Sequence, residues 1–249
     1  MLQETSLVDV QRYRENRQKM REQEPKFREL CMVCMQPKFS CFCQHVQRVN
    51  AKIDFVILIH PVEAKRRIAT GRMSHLCLEN SRLIMGQDYS HNKEVNEILA
   101  DSSRFPVILY PKGKTTNVSP LSQEQRAVLF PMDKKLTIFV IDGTWATAIK
   151  TVRQSQNLQN VPRICFSPEK PSTFRVRKQP AENCFSTIEA IHQIIELVGP
   201  SQGFDVRSRD HDKLLYVFDK MVELQLEFIR ISESKPGTLR YRRDRRKSA

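Results

Sequence analysis

Four cysteines near the N-terminus have the spacing of a metal site. They stand within thirteen residues, as Cys-x2-Cys followed by Cys-x-Cys, at Cys31, Cys34, Cys41 and Cys43. Two thiolates on one turn can reach the same ion, and four suit the tetrahedral geometry of zinc. Because the protein would supply all four ligands, such a zinc would be structural and not catalytic. Reduced structural cysteines or a redox pair are the alternative.

A carboxylate and the chain's one tryptophan share a short corner, Asp142-Gly-Thr-Trp145. If the preceding apolar run is a central strand, Asp142 stands at its carboxyl end, where open α/β sheets place their ligands. Gly143 permits a sharp turn, and Thr144 can cap a helix that has Trp145 in its first turn. The alternative is that Asp142 is only a turn or cap residue and Trp145 only a core ring.

The chain is strongly basic. Its 249 residues include 41 Lys and Arg against 28 Asp and Glu, which gives a net charge of +13. Basic residues recur at 63–72, 174–178 and 240–247. Such an excess is frequent in proteins that hold phosphate backbones, so the predicted partner is nucleic acid. A soluble protein with a merely positive surface is the alternative.

Strands that alternate with helices must position these residues. Four apolar runs predict buried strands at 52–61, 105–111, 135–142 and 162–166. Helical spacing follows at 72–84, 92–101 and 144–154. This order predicts an α/β domain with a mainly parallel sheet. The three remaining cysteines are expected to be small core residues: Cys77, Cys165 and Cys184.

Two further helices are predicted toward the C-terminus. The first begins at a capping box made by Ser186 and Glu189 and ends at Gly199. Its core face is predicted to consist of Ile188, Ile191, Ile195 and Val198. The second is a long amphipathic helix over about 212–232. Its core face is predicted to consist of Leu215, Phe218, Val222, Leu226 and Ile229.

The organisation of the chain follows from these segments. We expect a charged N-terminal arm at 1–28, a small four-cysteine zinc knuckle at 29–50, an α/β domain at 51–233 and a basic tail at 234–249. No apolar run reaches the length of a membrane span, and the polar N-terminus is not a secretory signal. The expected location is therefore the cytoplasm.

Seven motifs occur in an order that resembles the DTW-domain family, and especially its bacterial tRNA-uridine aminocarboxypropyltransferases. They are the zinc-type cysteines, LIHP.E, TGR, LYP, DGTW, RVRKQP and STIEA. The resemblance runs from about Cys31 to Val198, and the series is specific although each motif alone is weak. One departure is that Ala69 precedes Thr-Gly-Arg, where the family usually has Asn.

The resemblance implies a fold and a reaction. The fold would be SPOUT-like, with a C-terminal trefoil knot. The reaction would move the 3-amino-3-carboxypropyl group of S-adenosylmethionine to N3 of a tRNA uridine, with variable-loop position 47 as the expected target, and would release 5′-methylthioadenosine. By analogy the cofactor would lie among Tyr110, Pro111, Thr144, Trp145, Ser186, Thr187, Glu189 and Ala190.

Residue chemistry suggests roles within that reaction. Asp142 is the candidate acceptor of the uridine N3 proton, and Trp145 can pack on the sulfonium or adenine. The helix start at Ser186 and Thr187 can hold the methionyl carboxylate. The candidates for contact with tRNA are basic: Arg72, Arg175, Arg177 and Lys178.

Two other functions fit the same sequence. A knotted RNA methyltransferase would share the cofactor and the class of acceptor, but would release S-adenosylhomocysteine. A non-catalytic zinc-knuckle RNA-binding protein would bind RNA in a salt-sensitive way without binding S-adenosylmethionine.

Overall fold

The computed structural model describes Glu15 and residues 29–66, 68–174, 176 and 184–234, with side chains up to Ile231. The N-terminal arm predicted over 1–28 lies outside these ranges, apart from Glu15. The basic tail predicted over 234–249 also lies outside the described residues, apart from residue 234.

Six parallel strands form one sheet. They are β1 (Asp54–Ile59), β2 (Ser81–Met85), β3 (Arg104–Leu109), β4 (Thr116–Asn117), β5 (Lys135–Asp142) and β6 (Arg163–Cys165), and the spatial order is β2-β1-β5-β3-β6-β4. All paired neighbours run parallel. The prediction of an α/β domain with a mainly parallel sheet is therefore confirmed. The continuous apolar runs predicted this, because strands of such a sheet are covered on both faces.

Seven α-helices connect or follow the strands in the described part of the chain. They are α1 (Pro61–Ala64), α2 (Thr70–Cys77), α3 (Lys93–Ala100), α4 (Gln123–Leu129), α5 (Trp145–Gln154), α6 (Thr187–Val198) and α7 (Asp212–Ser234). The helix predicted over 72–84 is wrong in its second half, since α2 ends at Cys77 and β2 begins four residues later.

The sheet separates two hydrophobic cores. Alternate residues of β1 point to opposite faces, with Phe55 and Ile57 in one core and Val56 and Leu58 in the other. The larger core includes side chains from α2, α6 and α7, and the smaller one includes side chains from α3 and α5. The domain thus has three layers, with the sheet in the middle.

The two C-terminal helices differ in how well their faces were predicted. All four apolar residues predicted for α6 are fully buried, and Ile194 joins them. In α7 the buried positions include Phe218 and Val222, as predicted, but Leu214 is buried where Leu215 was expected. The core face of α7 is therefore turned by about one residue at its start.

The cysteine knuckle packs into the larger core. Cys34 and Phe42 are buried among residues of the sheet and helices. Phe39 meets Phe228 of α7 edge to face, with ring centroids 5.0 Å apart. No helix in the described part of the chain has the length and apolar character that crossing a membrane requires.

Candidate active site

A cavity of about 600 Å³ opens at the carboxyl ends of β3, β5 and β6. Such a volume lies in the range that small ligands and cofactors occupy. Its walls include seven of the eight residues predicted to hold the cofactor, all except Glu189, and they also include Asp142.

The strand order explains the position of this cavity. β5 lies between β1 and β3, while β2 extends the sheet on one side and β6 on the other. Loops that leave neighbouring strands in opposite directions open a crevice at the carboxyl edge of the sheet, where open α/β folds bind ligands. Asp142, the last residue of β5, stands at this point.

Asp142, at the end of β5, is held by hydrogen bonds from two other parts of the fold. It is buried, with 5% of its surface exposed. Its backbone carbonyl accepts a hydrogen bond from the backbone N–H of His60, after β1, at 3.0 Å. Its Oδ1 accepts one from Thr187 Oγ1, at the start of α6, at 2.5 Å. The carboxylate therefore has a fixed orientation beside the cavity.

Two glycines allow this corner to pack closely. A Cβ atom on Gly71, in the first turn of α2, would lie 2.5 Å from Asp142 Oδ2. A Cβ atom on Gly143 would lie 2.5 Å from Thr147 Oγ1. Real Cβ contacts are never so short, so the glycine of the Thr-Gly-Arg motif and the glycine of the Asp-Gly-Thr-Trp motif both serve the same corner.

The start of α5 has the predicted cap at Thr144, and it excludes the alternative that Trp145 is a core ring. Thr144 Oγ1 accepts a hydrogen bond from the backbone N–H of Thr147 at 3.2 Å and so caps the helix. Trp145 is half-buried and lines the cavity, so it is not a core ring. The ammonium of Lys112 lies 5.6 Å from the centroid of the indole, within cation–π range.

Tyr110 and Pro111 form the cavity wall beyond β3. Tyr110 is buried, and this burial raises the pKa of its phenol. The guanidinium of Arg163 lies 5.8 Å from the centre of its ring. Pro111 is exposed at the rim.

Glu189 was expected to hold the cofactor, but it does not line the cavity. The predicted capping box is present, with the backbone N–H of Ser186 donating to Glu189 Oε2 at 2.8 Å. The same carboxylate accepts from Ser172 Oγ at 2.8 Å and from the backbone N–H of Thr173 at 2.8 Å. Glu189 lies outside the cavity wall, so its observed contacts join α6 to the loop after β6.

Sequence reasoning missed part of the wall. Aromatic surface comes from Phe166, Phe174 and Phe185. Arg66 lines the cavity from the turn before α2, and Thr70 lines it as the first residue of α2. The prediction that Cys165 and Cys184 are core residues is wrong, because both are half-buried and line the cavity. The position of Phe166 just after β6 was the one available signal, since the carboxyl ends of parallel strands meet at one edge.

The residues predicted to contact RNA are only partly described. Arg72 is half-buried, and its Nη2 donates to the backbone carbonyl of Ala64 at 2.7 Å. It does not line the cavity. Arg175, Arg177 and Lys178 lie outside the described residues.

The four N-terminal cysteines converge. Their sulfur atoms all lie within 4.8 Å of one another, with Cys31 Sγ 3.8 Å from Cys43 Sγ and Cys34 Sγ 3.7 Å from Cys41 Sγ. A tetrahedron with Zn–S bonds of about 2.3 Å has edges of about 3.8 Å. Backbone donors of Cys34 and Val33 lower the pKa of the Cys31 thiol to about 6, which favours a thiolate there, whereas burial raises the pKa of the Cys34 and Cys43 thiols. These two thiols would lose their protons on binding the ion. The geometry and chemistry of this set fit zinc.

A second cluster of polar side chains joins α6 to α7. The donor atoms of His192, His211 and Asp212 lie within 4.8 Å of one another, and His211 Nε2 also contacts Glu196. Both carboxylates are already paired with the guanidinium of Arg209, at 2.9 Å and 2.8 Å. We therefore interpret this set as an ion-pair network between helices and not as a metal site.

Several curated proteins are similar to this chain. A Drosophila melanogaster protein named tRNA-uridine aminocarboxypropyltransferase 2 is 27% identical over 70% of this chain and 68% of its own length. Proteins of the same name from Mus musculus and Macaca fascicularis are 27% and 23% identical over 64% and 66% of the chain. The aligned part spans about half of these two relatives, 53% and 54% of their lengths.

No solved structure matches the chain. The family model described as the DTW domain, by contrast, matches residues 28–226. This range contains the four cysteines, the six strands and every described residue of the cavity wall. The chain therefore belongs to the DTW-domain family.

Proposed function

We propose that this protein transfers the 3-amino-3-carboxypropyl group of S-adenosylmethionine to N3 of a uridine in tRNA and releases 5′-methylthioadenosine. The observation that carries the proposal is the convergence of the family's separate motifs on one cavity. Residues that are 32 or more positions apart, Tyr110, Asp142 and Thr187, meet around a volume suited to a nucleoside-sized donor. Membership of the DTW-domain family and the names of the relatives support the same reaction.

The reaction needs alignment and removal of one proton. The N3–carbon bond forms as the carbon–sulfur bond breaks, and the proton on N3 must go to a base. Asp142 is the carboxylate among the described residues of the cavity wall, and we assign it this role. Thr187 orients the carboxylate of Asp142 through the 2.5 Å hydrogen bond. A base that is held in one orientation accepts the proton more effectively.

The donor would be held by the walls already described. S-adenosylmethionine supplies a sulfonium that activates the carbon to be transferred. Trp145 offers an aromatic face for the sulfonium or the adenine, and Tyr110 and Pro111 offer the wall beyond β3. The backbone around Thr144 and Ala190 completes the pocket. Glu189 would act by holding the loop at Ser172 against α6.

Transfer RNA is the proposed acceptor. The net charge of +13 suits a polyanionic substrate, and Arg72, Arg175, Arg177 and Lys178 are the proposed contacts. Variable-loop position 47 is the proposed target. Zinc at the cysteine knuckle is proposed to be structural, because four thiolates leave no open coordination position.

The proposed SPOUT-like fold with a C-terminal trefoil knot rests on the family resemblance. The parallel sheet and the placement of the cavity at its carboxyl edge are consistent with it. The proposed domain boundaries and the cytoplasmic location rest on the sequence.

The test is mass spectrometry of the reaction products. Purified protein, S-adenosylmethionine and tRNA from cells lacking this gene should yield a nucleoside heavier by one aminocarboxypropyl group, together with methylthioadenosine. Asp142→Asn should lower turnover by at least about a hundredfold, the scale of general base catalysis. Asp133→Asn, at an exposed position outside the cavity, is the matched control and should leave turnover unchanged.

Other products would select the other functions. Addition of a methyl group with release of S-adenosylhomocysteine would make the protein a methyltransferase. Tight tRNA binding without any product or binding of S-adenosylmethionine would make it a zinc-knuckle RNA-binding protein. Full turnover of Asp142→Asn, with the expected product, would leave the reaction intact and remove Asp142 as the base.

A further inference from the structure

In the part of the chain that the structure describes, the cavity wall has one charged group of each sign. Among its described residues, Asp142 carries the one carboxylate and Arg66 the one cationic side chain. The aminocarboxypropyl group of the proposed donor also carries one charge of each sign, an ammonium and a carboxylate. The positions of Asp142 and Arg66 therefore bear on how this group is oriented.

The start of α6 is a poor place for the donor carboxylate. Helix N-termini attract anions, but this one already contacts two protein carboxylates. Asp142 accepts a hydrogen bond from the hydroxyl of Thr187, and Glu189 accepts one from the backbone N–H of Ser186. A third carboxylate at the same turn would be repelled by both, since like charges in a partly buried site disfavour ionisation. The donor carboxylate is therefore expected at another part of the cavity wall.

Arg66 has the geometry of an anion receptor. It lies in the turn between α1 and α2, so it is not part of the α6 start that contacts the two carboxylates. Its Nε lies 3.2 Å from Oε1 of Glu63, whose side chain is only 3% exposed, so the guanidinium is anchored from the protein side. The Arg66 side chain itself is 42% exposed. An arginine held through Nε can still present its terminal nitrogens as a fork to a carboxylate.

From this arrangement we infer that Arg66 binds the carboxylate of the aminocarboxypropyl group and so keeps it away from the carboxylate of Asp142. The inference rests on the proposed function, because it assumes that S-adenosylmethionine occupies the cavity. It assigns to Arg66 the role that sequence reasoning gave to Ser186 and Thr187.

Calorimetric binding of two ligands tests it. One ligand is S-adenosylmethionine, and the other is decarboxylated S-adenosylmethionine, which keeps the sulfonium, the amine and the adenosine but lacks the carboxylate. The wild-type protein should bind the first about ten- to a hundredfold more tightly, as expected for one charge-assisted contact. Arg66→Gln should lose most of this preference by weakening only the binding of S-adenosylmethionine. Arg66→Lys should retain part of it, because charge remains without the fork.

The control is another half-exposed arginine that is paired with a glutamate. Arg82, in β2, lies 3.3 Å from Glu94 and is 50% exposed. It lies outside the cavity wall, so Arg82→Gln should keep the wild-type preference. Removal of Arg66 alone breaks its ion pair with Glu63 and can lower stability. The double variant Glu63→Gln/Arg66→Gln removes both charges of the pair, and it should show the same loss of preference.

The possible results separate this inference from the proposed function. Wild-type protein that binds neither ligand contradicts the proposed function, and the inference fails with it. If Arg66→Gln keeps the wild-type preference for S-adenosylmethionine, the inference is wrong but the proposed function stands. The same holds if Arg66→Gln loses affinity equally for both ligands. A change only in tRNA affinity and in its salt dependence would make Arg66 a phosphate contact, and would also overturn it.

Discussion

Gly71→Ala is the substitution for which the structure makes the sharpest prediction. Gly71 is in the first turn of α2 with helical backbone angles, so alanine causes no strain in the backbone itself. The added Cβ would lie 2.5 Å from Asp142 Oδ2 and 2.6 Å from its Cγ. The side chain of Asp142 must therefore move, and with it the 2.5 Å hydrogen bond from Thr187.

The magnitude follows from three contributions to the free energy of unfolding. Overpacking a filled site costs about 1–3 kcal/mol. Loss of a hydrogen bond to a charged group costs about 1.5–3 kcal/mol. The higher helix propensity of alanine offsets about 1 kcal/mol. The expected net destabilisation is about 1.5–5 kcal/mol. This is equivalent to a fall in melting temperature of roughly 3–20 °C for a chain of this size. Turnover should fall by about a hundredfold, because the base is displaced by a fraction of an ångström or more.

Thermal unfolding and release of methylthioadenosine measure the two effects, and a double-mutant cycle assigns their cause. In an Asp142→Ala background the two closest atoms are absent, and the nearest remaining neighbour is the Cβ at residue 142, 3.0 Å away. Gly71→Ala should then cost much less stability than in the wild type. Equal destabilisation in both backgrounds would place the cause in α2 and refute the reasoning. So would a Gly71→Ala protein with wild-type turnover and melting temperature.

Three further predictions concern stability. Ala69, the N-cap of α2, makes no side-chain cap hydrogen bond, so Ala69→Asn should stabilise the protein. The gain should stay below about 2 kcal/mol, because the larger side chain must fit at a position that is 7% exposed. A lower melting temperature would contradict this. Cys34→Ser should abolish bound zinc, measured by atomic emission, and lower the melting temperature, whereas Cys77→Ser, at an equally buried non-ligand position, should keep a ratio of about one zinc per chain. Burial lowers the pKa of His192 below its value in the unfolded chain. As the pH drops below about 6.5, the unfolded chain therefore binds a proton that the folded protein does not, and stability should fall. His192→Gln should make the melting temperature less dependent on pH between about 7.5 and about 5, and an unchanged dependence would exclude this contribution.

Much of the fold could be predicted because its signals are local. The core strands β1, β3 and β5 are buried on both faces, so each is a continuous apolar run. The starts of α5 and α6 depend on cap residues within four positions of one another, Thr144 with Thr147 and Ser186 with Glu189. Helix caps and strand runs can be recognised without knowledge of the rest of the chain.

The strands that were missed have weak local signals. β2 is an edge strand in which the side chain of Ile84 alone is buried, and its apolar run is only three residues long, at 83–85. β4 has only two residues and pairs with β6, which comes 46 positions later in the chain. Both strands exist because a partner far away in sequence supplies their hydrogen bonds.

The candidate site shows the same division between local and long-range information. Sequence alone identified the zinc-type cysteines by spacing, and identified Asp142 and Trp145 by their position after an apolar run. It could not show that Gly71 packs against Asp142, that Glu189 binds the loop at Ser172, or that Arg66 lines the cavity. These relations join elements that only the sheet brings together. Spacing along the chain determines which residues share a turn, whereas the parallel strand order determines which turns meet, and only the tertiary structure contains that order.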